Sequence, residues 1–199
     1  MSSAATDSVD AALAALGRGE VVAVATDTVY GLVCDPADRA AVDRIYALKQ
    51  RPADLELTLI AAGIDDFEGL VRWTAEAEQL ATAFWPGPLS LVLPLGQRGL
   101  AIPRRRTTLS VRVPDHASLG QLLRRGGPLA STSANRHGAP AATTAAAVRR
   151  AFGAEIITVV AGGRPGGMAS TIIDCSVTPP RILRDGPIDS RRLQEFVQG

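Results

Sequence analysis

E-V-V-A-V-A-T-D-T-V-Y-G-L, residues 20–32, is the stretch whose reading decides the fold. Its first six positions form a β-branched run, which predicts a short buried strand. A polar turn breaks the run at residues 26–28. Upstream, residues 7–16 predict a helix, with Asp7 as cap and Val9, Leu13 and Leu16 on one face; Gly17 and Gly19 end it. Downstream, Asp35-Pro36 signals a second helix, with aspartate as cap and proline in its first turn. Its apolar face is Val42, Ile45, Tyr46 and Leu48, and it ends near Lys49. Further strands are expected at 57–61, 89–93, 109–113, 129–131, 156–160, 171–174 and 181–183. Further helices are expected at 74–84, 116–124, 143–152 and 190–197. Some strands follow one another without a helix, so the expectation is an α/β sandwich on a twisted, mixed sheet. No linker divides the chain, and residues 1–199 are read as one domain.

The bulk numbers exclude several classes. A net charge of +1 rules out a protein-wide electrostatic grip on nucleic acid, so any attraction to phosphate must be local. Aromatics make up only 4% of the chain, so aliphatic side chains must fill the core. Cys34 and Cys175 stand alone, outside any metal-ligand spacing, and are read as reduced and buried, as suits a cytoplasmic protein. No apolar stretch approaches the roughly 20 residues of a membrane span. The first ten residues lack the charged start and apolar run of a signal peptide.

Five segments join polar residues to glycine or proline punctuation at predicted element ends: T-D-T-V-Y-G-L (26–32), K-Q-R-P (49–52), V-R-V-P-D-H (111–116), S-T-S-A-N (131–135) and S-T-I-I-D (170–174). Ligands collect at such ends in open α/β sheets. Taken singly, each has a plain structural reading. Lys49 and Arg51 suit a helix C-terminus, Ser131 to Asn135 a helix-entry turn, Arg112 an outward position on an edge strand, and His116 and His137 a solvated surface. A Walker-type G-x-x-x-x-G-K-[ST] is absent, and neither histidine has a G-x-S-x-G partner.

In series with F-W-P-G-P-L-S (84–90) and I-L-R-D-G (182–186), these segments resemble the successive blocks of the YrdC-like family over residues 20–186. The resemblance implies a YrdC-like twisted mixed β-sheet flanked by helices, with a large concave cavity. It implies a threonylcarbamoyl-AMP synthase that uses L-threonine, bicarbonate and ATP, with Mg2+ carried on the triphosphate. The product would go to a separate threonylcarbamoyl transferase complex that modifies tRNA next to the anticodon; whether this chain touches tRNA itself stays open. By position, Lys49, Arg51, Ser133 and Asn135 match the family's K-x-R and S-x-N signature. Lys49 and Arg51 are expected to project into the cavity toward the ATP phosphates and the carbamate, with Ser133 and Asn135 beside them. Thr108 and Arg184 match further ATP contacts. Thr28, Arg112, Ser131 and Ser170 match the threonine pocket, with Arg112 facing the substrate carboxylate.

The chain departs from the family pattern in places. Ala25 replaces a proline before T-D-T, and Asp54 and Glu56 put negative charge near the expected phosphate site. Ile60 stands where some members carry a histidine that touches threonine, and Ser90 replaces a threonine. The chain resembles the short form without a further C-terminal domain. Two other readings remain: a non-catalytic RNA-binding module drawing on the basic run at Arg104, Arg105 and Arg106, and a carbamoyl-AMP-forming enzyme taking carbamoyl phosphate.

Overall fold

In a computed structural model, the described residues are 8–50, 57–98, 107–156, 158–162 and 165–197. Their strands join into a nine-stranded sheet. These are β1 (Val22–Val24), β2 (Gly31–Cys34), β3 (Thr58–Ile60), β4 (Leu89–Pro94), β5 (Thr108–Arg112), β6 (Leu129–Ser133), β7 (Val159–Val160), β8 (Thr171–Asp174) and β9 (Arg181–Arg184). The spatial order is β7-β1-β2-β6-β3-β5-β4-β8-β9. β7 with β1, β3 with β5 and β4 with β8 pair in parallel, and the other neighbours antiparallel, so the sheet is mixed as expected.

Successive side chains on a strand point to opposite faces, and here the two faces are covered unequally. One face is sealed along its length. Leu32, Cys34 and Ala130 meet α2 (Arg39–Lys49) and α5 (Ala145–Phe152), while Leu59, Leu91, Val111 and Ile173 meet α3 (Ala75–Phe84) and Leu193 of α6 (Ser190–Val197). On the other face only α1 (Val9–Gly17) and α4 (Ala117–Gly126) pack, against Val22, Val24, Val33, Leu129 and Val160. Beyond Leu129 and Ile60, which still meet that helix pair, the same face from the end of β6 to β9 is covered by none of these six helices, and its strands present hydroxyls and arginines.

The helix starts correct two expectations. α1 is capped by Ser8, which accepts from the Ala11 N–H; Asp7 lies outside the described residues. α2 begins three residues later than Asp35-Pro36 suggests. Asp35 folds onto the Ala37 N–H as a turn, and Asp38 caps the helix by accepting from Ala40 and Ala41. β2 was not anticipated: G-L-V-C is short, and follows the polar turn too closely to stand out. His116 is not a solvated side chain. Its Nδ1 accepts from the Leu119 N–H as the cap of α4, and its Nε2 lies 3.1 Å from the Gly162 carbonyl. No helix among the described residues is long and apolar enough to cross a membrane.

Both thiols are buried in the sheet's sealed side. Burial, reinforced by the negative charges of Asp35 and Asp38, pushes the Cys34 thiol up from 9.0 to about 12. Burial, with Asp174 and Glu76 nearby, does the same for Cys175. A folded-state pKa above the unfolded value holds its proton longer in the native protein. The stabilisation is therefore intact below about pH 9 and is lost as pH rises toward 12, at roughly 1.4 kcal/mol per pH unit per thiol. Denaturant midpoints are expected to fall steeply between pH 9 and 11, and a thiol reagent at pH 8 is expected to label neither cysteine until the chain unfolds.

Candidate active site

The uncovered part of the sheet forms the floor of a cavity of about 180 Å³. The register arranges its side chains in cross-strand rows. Ile60 of β3 lies opposite Arg112 of β5, and Ser90 of β4 opposite Ile172 of β8, which in turn lies opposite Arg184 of β9. The β4–β5 pairing sets Arg112 beside Ser90, one step past Val111 and Leu91. A second row holds Ser131, Thr58 and Ser110, with the last two hydroxyls 3.0 Å apart. Gly31 stands opposite Ser133, and a Cβ on it would fall 3.3 Å from the Ser131 hydroxyl, so its lack of a side chain keeps that wall open.

Arg112 is 7% exposed and held from three sides. Its Nε donates to the Gly87 carbonyl (3.0 Å), Nη1 to Thr28 Oγ1 (3.1 Å) and Nη2 to Asp27 Oδ1 (2.5 Å). Burial lowers its pKa, and the Asp27 charge opposes that shift. Gly87 can offer its carbonyl because the chain passes very close to Phe84; a Cβ on Gly87 would lie 2.4 Å from the Phe84 oxygen. The T-D-T turn is knit by Thr26, whose Oγ1 accepts from the Thr28 and Val29 N–H groups and donates to the Val29 carbonyl.

Arg184 reaches the same end of the cavity from β9. Its guanidinium donates to the Ser170 carbonyl (2.8 and 2.9 Å) and to Ser170 Oγ (3.1 Å), and Ser170 Oγ lies 3.0 Å from Ser90 Oγ. Desolvation first, and then repulsion by Arg112, lowers the Arg184 pKa. Arginine stays charged regardless, so this end of the cavity holds two cations near one another, of which Arg112 is paired with Asp27. Gly186 sets this corner. A Cβ there would fall 2.2 Å from the Thr171 nitrogen, so only glycine lets the R-D-G turn close onto Ser170.

Thr28, Arg112, Ser131, Ser133, Ser170 and Arg184 all line the cavity. Thr108 lies on the same face of β5, two residues beyond Ser110, but outside the lining. Lys49 differs from expectation. It does not project into the cavity; it is 2% exposed and folds under the S-T-S-A-N turn. There Nζ donates to the Ser133 carbonyl (2.6 Å), the Asn135 carbonyl (2.9 Å) and Asn135 Oδ1 (3.0 Å). Asn135 Oδ1 also accepts from Ser133 Oγ (2.6 Å), and its Nδ2 donates to the Arg136 and Ala139 carbonyls. Lys49 and Asn135 thus form the scaffold that presents Ser133. Arg51, Asp54, Glu56 and the Arg104 to Arg106 run lie outside the described residues. Sequence reasoning missed Thr26, Asp27, Thr58 and Ser110, and passed over Ser90 as a minor departure. The signal available was a hydroxyl alternating with an aliphatic residue in L-S-L and T-L-S-V-R.

The family model Sua5_yciO_yrdC, described as "Telomere recombination", matches residues 14–186. A threonylcarbamoyl-AMP synthase of Chromohalobacter salexigens is 45% identical over 176 residues, covering 84% of this chain and 92% of that protein. A threonylcarbamoyl-AMP synthase of Pyrococcus abyssi is 39% identical over 189 residues, covering 90% of this chain but only 54% of its own length; the chain thus spans about half of that relative. The crystal structure of P. abyssi Sua5 complexed with L-threonine superposes with a TM-score of 0.86 at 36% identity, over 95% of this chain and 57% of that one. On the family model, the relatives and the shared architecture together, the chain belongs to the Sua5/YciO/YrdC family.

Proposed function

We propose that this chain is an L-threonylcarbamoyladenylate synthase, converting L-threonine, bicarbonate and MgATP into threonylcarbamoyl-AMP, pyrophosphate and water. The threonine amine and bicarbonate form a carbamate with loss of water. A carbamate oxygen then attacks the α-phosphorus, and pyrophosphate leaves. No step needs a protein nucleophile. The reaction needs two anions brought together and water kept away from a carbamate and a mixed anhydride. The observation that carries this reading is the half-covered sheet face, where Arg112, Arg184 and a set of hydroxyls converge in one cavity.

In this reading Arg112 takes the threonine carboxylate, with Thr28, Ser131 and Ser170 around the rest of the amino acid. Ser133 orients the reacting carbamate and phosphate, and Lys49 acts through Ser133 and Asn135 by fixing their turn. Arg51, Thr108 and Arg184 serve ATP. Among the described residues no three His, Cys, Asp or Glu side chains are grouped as a protein-held metal would need. Mg2+ enters with ATP in this reading, bound by phosphate oxygens and water. The product passes in the cytoplasm to a separate threonylcarbamoyl transferase complex that acts on tRNA.

The test is pyrophosphate release by the purified protein with threonine and bicarbonate each omitted in turn. Release is expected only when both are present. Release that needs neither, or none under any condition, would overturn the proposal.

A further inference from the structure

We propose that Asp27 is a specificity-determining residue of the amino-acid end of the cavity: its pairing with Arg112 keeps small inorganic anions off a guanidinium that still offers two N–H groups to a carboxylate. This rests on the reading of Arg112 as partner of the substrate carboxylate.

A guanidinium carries five N–H donors. In Arg112 three are engaged, one each from Nε, Nη1 and Nη2. Among the described residues one N–H on each terminal nitrogen has no acceptor, which leaves two directional donors for a carboxylate. An unpaired cation at 7% exposure would draw any small anion from solution, because its charge acts without regard to shape. The Asp27 carboxylate cancels that indiscriminate pull and leaves the directional donors in place. An α-amino acid zwitterion has no net charge and loses little by facing a neutral pair, whereas chloride loses its main source of attraction.

Asp27 is built for this service. Its Oδ1 contacts Arg112, while its Oδ2 is sealed from solvent with no hydrogen-bond partner among the described residues, so the carboxylate itself is closed to ligands. Its backbone is fixed from both sides: the Gly166 N–H donates to the Asp27 carbonyl (3.0 Å) and the Gly167 N–H to the Thr28 carbonyl (2.8 Å). Arg184 has no carboxylate partner among the described residues, but it sits at an exposed edge of the cavity, where water competes with an anion.

The experiment is calorimetric titration of L-threonine into the full chain, without ATP, at fixed ionic strength in sodium chloride or in sodium camphorsulfonate, whose anion is far bulkier than chloride. The parent protein is expected to bind threonine equally in both salts. Asp27→Asn and Asp27→Ser, which remove the charge but keep an acceptor, are expected to bind it about tenfold or more weakly in chloride than in camphorsulfonate. Asp27→Glu is expected to restore much of the parent's indifference to chloride. Folding of each variant is checked by circular dichroism. A tenfold chloride effect in the parent would overturn the inference without recourse to any variant, and so would an unchanged salt ratio in a folded Asp27→Asn or Asp27→Ser. Arg112→Ala separates the two levels. If it binds threonine like the parent, the carboxylate reading itself is wrong. If it loses threonine while the Asp27 variants ignore chloride, only the present inference is overturned.

Discussion

Lys49→Ala is expected to lower the melting temperature by about 10 °C and to reduce threonine-dependent pyrophosphate release at least about 100-fold. The stability loss follows from burial. The substitution leaves the Ser133 carbonyl, the Asn135 carbonyl and Asn135 Oδ1 without the ammonium that binds them, and removes the stem that fills the space beneath. The Ser133 carbonyl keeps the Asn135 N–H and Asn135 Oδ1 keeps the Ser133 hydroxyl, so the Asn135 carbonyl loses most. An unsatisfied acceptor costs about 1–3 kcal/mol and the lost stem adds to it, for roughly 3–5 kcal/mol in total. In a chain of this length each kcal/mol moves the melting temperature by roughly 2–4 °C. The activity loss follows from geometry, since Ser133 is presented by the turn that Lys49 braces, and a displacement of about 1 Å at a reacting centre can cost about 100-fold. Calorimetric melting and the pyrophosphate assay together separate the two effects. A fully stable but inactive Lys49→Ala would mean that the ammonium leaves its three acceptors and works on the substrate directly.

Arg112→Ala is expected to weaken L-threonine binding by about 100-fold or more while the ATP requirement changes little. Truncating one partner of a buried, hydrogen-bonded charge pair costs about 2–5 kcal/mol. Here the loss is felt twice. The substrate carboxylate loses its fork, and Asp27 is left as a buried carboxylate without its cation, which adds roughly 3–5 kcal/mol of destabilisation. Arg112→Lys is expected to recover stability better than threonine affinity, because an ammonium compensates Asp27 but cannot reproduce the planar fork. Titration with L-threonine, and pyrophosphate release measured as a function of threonine and of ATP, check both. Equal losses for the two substrates would remove Arg112 from the amino-acid end.

Part of the cavity face is legible from strand alternation, although the expected site residues rest on the family resemblance. In L-S-V-R, Ser110 and Arg112 alternate with the buried Leu109 and Val111 and share one face, whereas S-T-S is polar throughout and T-L-I sets Ile60 beside Thr58 in the cavity lining. Helix spacing was equally readable: Val42, Ile45, Tyr46 and Leu48 are all buried as their periodicity implies. The failures share one cause, which is that partners lay far away in sequence. A lysine in the last turn of a helix suits solvent and the macrodipole equally well by local rules. Only contacts 84 and 86 residues away reveal that Lys49 folds inward. Asp27 reads as an ordinary polar turn residue until Arg112, 85 residues on, comes to rest against it. The start of α2 was misplaced because Asp35 and Asp38 are both good caps, and only the fold chooses between an Asx turn and the helix itself.

The unequal covering of the sheet also limits how this chain can vary in length. Where both faces are buried in similar side chains, a strand that gains or loses one residue exchanges one set of aliphatic groups for another. In β5 the same change would turn Leu109 and Val111 toward the cavity and drive Ser110 and Arg112 among the leucines beneath α3. Single-residue insertions and deletions within β3, β4, β5 or β6 should therefore be lethal to fold and site together, so length variation at the cavity floor has to enter through the connections between strands.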